Sequence, residues 1–69
     1  MEYRLFDHKD RSAPLTTAIF EDHFAAEKWA RAWAADNGSG DDYHIESSDG
    51  SLAARLFRTV AGQWYVMRQ

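Results

Sequence analysis

Sixty-nine residues, a formal net charge of −3 and no cysteine leave room for one core and for neither a disulfide frame nor a thiolate metal site. The acidic balance argues against non-specific nucleic-acid binding, which draws on a basic surface. No apolar run approaches the roughly 20 residues that span a bilayer, and Met1-Glu2-Tyr3-Arg4 is no signal peptide. The expectation is a single domain over residues 1–69 that works in the cytoplasm.

A chain this short buries only about 60% of its unfolded surface. Three Trp, three Tyr and four Phe set against many alanines are a way to fill a dense core from few residues.

In chain order, Tyr3 to His8 alternates as a strand, with Tyr3, Leu5 and Asp7 on one side and Arg4, Phe6 and His8 on the other. Lys9 to Pro14 is polar, ends in Pro and reads as a loop. Leu15 to Glu21 fits either a strand or an early helix turn. As a helix it would place Phe20 and Phe24 on a charged face opposite Trp29 and Trp33. Its β-branched content favours a strand paired with 3–8.

The one strongly helical run is 22–37. Asp22 is placed to cap it. Trp29 and Trp33, four residues apart, share a face with Ala25, Ala26 and Ala30. Asn37-Gly38 tolerates left-handed backbone and stops the helix. Phe24 points away from the tryptophan face and either folds under the preceding loop or faces a partner.

Three strand signals follow: Tyr43–Ser47, Leu52–Thr59 and Gln63–Arg68. Asp49-Gly50 and Ala61-Gly62 are hairpin turn signals between them. The fold expected is α+β, ordered β-β-α-β-β-β, with an antiparallel sheet and a single helix packed on one face. Leu5, Ile19, Ile45, Leu56, Trp64 and Val66 are assigned to the helix side. Arg4, Phe6, His44, Arg55, Phe57, Tyr65 and Met67 fall on the other, which is too apolar to be only solvated.

No catalytic pattern stands out. His8, His23 and His44 lack metal-ligand spacing and read as surface residues. There is no P-loop, no GxGxxG and no nucleophile elbow. So small a chain also has little volume for an enclosed pocket. The expectation is a non-enzyme without cofactor or metal.

Charge placement says more than charge total. From Ala32 to Ala54 there is no Lys or Arg, while Asp36, Asp41, Asp42, Glu46 and Asp49 accumulate; from Gly50 onward there is no Asp or Glu, but Arg55, Arg58 and Arg68. One reading is that these charges only blunt sheet edges and keep the protein soluble. The other is a polarised binding surface, with Arg55, Phe57, Tyr65 and Arg68 on the open sheet and Asp41, Asp42 and Glu46 at an acidic edge. The partner is then a protein, possibly one with a basic surface. The alternatives are a nucleic-acid-binding module that stacks bases on the aromatic and arginine face, or a small oligomerising phage protein. Monomer and homodimer both remain open.

Ile45-Glu46, a turn glycine at Gly50, a strand, then Gly62 followed by Trp64 and Val66 resembles the layout of small phage-encoded anti-CRISPR proteins that inhibit type I-F surveillance complexes. The front half has the same order: a strand, a loop, a second strand ending in Glu, and an Ala-rich helix. The resemblance implies a stoichiometric, non-enzymatic inhibitor in the host bacterial cytoplasm. It would dock on Cas subunits and stop target DNA from pairing with the guide. This chain departs from the pattern in its acidity and its Trp-rich helix, so a lysine-dependent contact with nucleic acid does not carry over. Ile45 and Trp64 match, and both read as core.

Overall fold

Alternation of large apolar and polar side chains writes five strands here, and one alanine-rich segment writes the helix that covers them. The computed structural model describes residues 1–37 and 40–69. The elements are β1 (Glu2–Asp7), β2 (Thr16–Ile19), α1 (His23–Asn37), β3 (Asp42–Ser47), β4 (Ala53–Arg58) and β5 (Trp64–Arg68). They form one antiparallel sheet in the order β2-β1-β3-β4-β5, the α+β arrangement and element order expected. Since β2 and β3 both run antiparallel to β1, they are parallel to each other, and α1 is the crossover between them.

The helix begins where Asp22 caps it: the carboxylate accepts the Ala25 N–H at 2.7 Å, satisfying one of the donors that a first helical turn leaves free. It is described to Asn37, and the Gly38 stop signal lies outside the described residues. The ridge pressed on the sheet is Ala26, Ala30 and Ala34, spaced four apart, so that backbone rather than side chain approaches the strands.

Against this ridge pack Tyr3, Leu5, Tyr43, Ile45, Leu52, Ala54 and Leu56, all buried. Trp29 and Trp33 are only partly buried and lie along the rim. Trp29 stacks at a tilt on Phe20, with centroids 5.6 Å apart, and Trp33 meets Tyr43 edge-on at 6.3 Å. The tryptophans wall the core. The alanines touch its floor.

Ile19 departs from its expected place. The register sets it opposite Glu2, with Ala18 opposite Tyr3, so Ile19 faces away from the helix and is 77% exposed. The next residue, Phe20, packs against the core instead, 6.3 Å from the Tyr3 ring. A one-residue choice of register moves a whole strand between faces, and here the Phe20 ring takes the core side.

The turns also differ in detail from two-residue hairpins. Only Gly50 (φ 78°) and Gly62 (φ 86°) adopt positive φ among the described residues, not Asp49 or Ala61. Each glycine closes a four-residue turn, donating to Ser47 and Thr59 at 3.1 and 2.9 Å. That is a type I turn followed by a left-handed glycine.

Candidate functional site

The face away from the helix is built by the alternate residues of the same strands. Register lines up Phe6, His44, Arg55 and Met67 across β1, β3, β4 and β5, and beside them Asp42, Phe57 and Tyr65. Its two halves differ. Phe6 and His44 are buried, and the charges of Arg11 and His8, from the connection between β1 and β2, act on His44. Toward β5 the face is bare: Phe57 is half-buried, and Tyr65 and Met67 are 48% and 54% exposed. The Arg55 guanidinium lies 5.5 Å from the Phe57 centroid, and Phe57 lies 6.1 Å from Tyr65. Gln63 accepts the Tyr65 hydroxyl at 2.8 Å. The result is an arginine–aromatic band on the β4–β5 hairpin.

Three of the predicted residues, Arg55, Phe57 and Tyr65, therefore come together. Arg68 does not. It pairs across from Ala54 on the helix side, where its guanidinium makes two 3.1 Å bonds to the Glu27 carboxylate of α1. Glu27 is buried, an ion pair that links helix to sheet edge. Nothing in the local sequence marks it, because the two residues stand 41 positions apart.

Of the acidic edge expected at Asp41, Asp42 and Glu46, the two aspartates are neutralised rather than free, while Glu46 is bonded by His44 Nε2. Asp42 receives Arg55 through two bonds of 2.8 and 2.6 Å, and that hydrogen bonding holds its carboxyl below the usual range. Asp41 pairs with Arg58 through side chains, while the Arg58 N–H donates to the Asp41 carbonyl at 2.8 Å. Arg58 also lies 5.6 Å from the Trp64 ring. Pairing β3 with β4 brings the acidic and basic stretches side by side, so the linear polarisation cancels. A groove of about 280 Å³ lined by Asp7, Lys9, Gly40, Asp41 and Asp42 holds mostly committed acids. Among the described residues no three His, Asp or Glu are placed to hold a metal.

Of the three histidines expected at the surface, His8 and His23 are partly exposed and His44 is not. His44 is 1% exposed. Its Nε2 lies 3.1 Å from the Glu46 carboxylate, which can only accept, so Nε2 carries the proton and the buried Nδ1 is left without a partner. Burial pushes its pKa down, against the opposing pull of the Glu46 bond.

His23 sits in a polar relay. Tyr3 Oη is 2.7 Å from Nδ1, and Ser51 Oγ is 3.2 Å from Nε2. Ser51 Oγ in turn donates to Asp49 at 2.7 Å. With the serine proton so used, Nε2 is the donor to Ser51, and Tyr3 donates to Nδ1. The pair has the outline of a serine nucleophile and its base, yet each proton points the wrong way: the histidine is already protonated toward the serine. The neighbouring N–H groups are also spent, Gly50 on the Ser47 carbonyl, Ser51 on Asp49 and Leu52 on Ser47 Oγ, so none of these three serves an oxyanion. The relay ties the β3–β4 turn to the first turn of the helix.

Phe24 does not fold under the loop before it. It is 65% exposed, with Lys28 5.7 Å from its ring centroid, on a different side of the molecule from the band. No described helix is long and apolar enough to cross a membrane. Comparison with protein-family models, curated proteins and solved structures gives no match, so what this chain does is to be read from the geometry of the β4–β5 face.

Proposed function

We propose that this chain is a non-enzymatic protein-binding domain that grips its partner through the Arg55–Phe57–Tyr65 band. The observation that carries the reading is the exposed band itself. Large rings pre-set on a rigid antiparallel hairpin bury much area at little entropic cost, and Tyr and Arg are the residue types that dominate binding energy at protein interfaces. The resemblance to type I anti-CRISPR proteins gives the reading its specific form: an inhibitor that docks on Cas subunits of a surveillance complex and blocks target DNA binding in the bacterial cytoplasm.

A nucleic-acid-binding module is the second reading, since the same rings could stack bases. Pairing of Arg55 with Asp42 and of Arg58 with Asp41 weighs against it by removing the excess positive charge that phosphate recognition uses.

The test is a titration of purified type I surveillance complex, with an interference assay in cells, for the native chain and for Phe57→Ala and Tyr65→Ala. Binding weakened by about 2 kcal/mol or more per ring, the scale of an interface hot spot, with the melting curve retained, supports the proposal. Absence of both a protein partner and any effect on interference defeats it. Salt-sensitive binding to single-stranded RNA or DNA, lost in Phe57→Ala, transfers the assignment to the second reading.

A further inference from the structure

The sheet has two edges, and they are not equivalent. β2 is four residues long and follows Pro14. The Met1 amine and carbonyl both bond Phe20, so the ladder alternation leaves only Thr17 and Ile19 pointing outward along β2. β5 is different. Thr59 donates to the Gln63 carbonyl at 2.9 Å and Gln69 donates to the Ala53 carbonyl at 2.8 Å, which fixes the phase of the β4–β5 ladder. Residues 63, 65, 67 and 69 turn their backbone groups toward β4, and Trp64, Val66 and Arg68 turn theirs outward. No described strand pairs with that outer edge. Arg68, turned inward to Glu27 near its end, is its one charge; the strand has no Lys, no Pro and an unbroken one-to-one register with β4.

We infer that β5 pairs with β5 of a second copy of this chain, antiparallel about a two-fold axis at Val66, to give a continuous ten-stranded sheet. What points to a second copy is that the strand is complementary to its own reverse. Around Val66, Trp64 falls opposite the partner's Arg68 and Tyr65 opposite the partner's Met67, with Val66 against its own equivalent. Two are favourable cross-strand matches, sulfur on phenol ring and two β-branched side chains, and in the third the Arg68 stem lies beside the indole while its guanidinium stays on Glu27.

All three outward residues find backbone partners in this register, whereas pairing onto β2 would offer them only two. The contact is isologous and closes at the dimer. Trp64 and Val66, half-buried in one copy, gain cover from the other. On the opposite face the bands of the two copies join, so the partner's Met67 and Tyr65 complete a strip that starts at Phe57. The inference does not depend on which protein the band binds.

The experiment is sedimentation equilibrium over a concentration series, combined with residue-resolved amide exchange at the two ends of that series. The expected result is a monomer–dimer equilibrium. In the dimer the Trp64, Val66 and Arg68 amides are protected, and on dilution these three lose protection while Tyr65 and Met67, bonded to β4, keep theirs. Tyr65→Lys with Met67→Lys places like charges directly opposite each other twice, and should weaken the dimer by about tenfold or more, equivalent to about 1.4 kcal/mol. Val66→Pro, which removes an outward N–H without touching the β4 ladder, should do the same. The exchange pattern of the native chain stands as the readout should either variant unfold. A monomer at every concentration overturns the inference. So does a dimer in which the Trp64, Val66 and Arg68 amides exchange freely, or one that folded variants leave unchanged.

Discussion

Two side chains at the residue scale show how pH acts on this protein in separate windows. His44 is buried, and its folded pKa lies below the ordinary 6.5 chiefly because burial disfavours the cation; Arg11 and His8 push the same way and Glu46 opposes them. The native state therefore resists a proton that the unfolded chain accepts. Stability is full above 6.5 and falls as pH drops below it toward the lower folded value. Urea unfolding followed between pH 8 and 5 should show this loss, with a shallower slope in His44→Gln; an unchanged slope would refute the role.

Asp49 acts in a lower window. Hydrogen bonds from Ser51 and Ser47 hold it at about 2, against 3.8 for a free side chain. It contributes stability present above 3.8 and lost as pH falls toward 2. Asp49→Asn should reduce the loss of stability in that acid window, to which Asp42 also contributes, while leaving the His44 step.

At the scale of elements, the helix is read by its small residues. Ala30 is fully buried beneath the helix backbone, so Ala30→Leu has nowhere to put three more carbons and should cost about 1–3 kcal/mol by overpacking. Trp33 lines the rim and keeps part of its ring in water. Trp33→Ala should thus cost less than the about 3–5 kcal/mol typical of a buried ring, leaving a cooperative melt at reduced temperature. Thermal denaturation by circular dichroism compares the two directly. A Trp33→Ala chain that is wholly unfolded would show that the rim, and not the alanine ridge, holds the helix down.

At the scale of the whole molecule, pairing rearranges charge. An acidic middle and a basic end become neighbours when β3 meets β4, so Arg55 and Arg58 face carboxylates and the β4–β5 hairpin presents rings more than charge. Binding through such a surface should depend weakly on salt, since most of its ionic contacts are internal. A partner affinity that falls by less than about tenfold between low and moderate salt fits this, whereas the loss of about 10³-fold or more expected for several phosphate contacts does not.

The strand and helix order, the N-cap at Asp22 and the turn glycines at 50 and 62 were legible in the sequence, because each rests on neighbours within a few positions: period-two alternation, i to i+4 spacing, and a residue type that tolerates positive φ. The meeting of Arg55, Phe57 and Tyr65 followed from the same alternation once the last hairpin was placed. Long-range pairing decided the rest. Only tertiary structure put Phe20 rather than Ile19 into the core, because register is a choice between faces and here the aromatic side chain takes the core side. Only it carried Arg68 to Glu27, buried His44, and joined Asp41 and Asp42 to arginines 17 and 13 positions away. Those contacts depend on which strand lies beside which, and a chain read one residue at a time contains the period of a strand but not the identity of its neighbour.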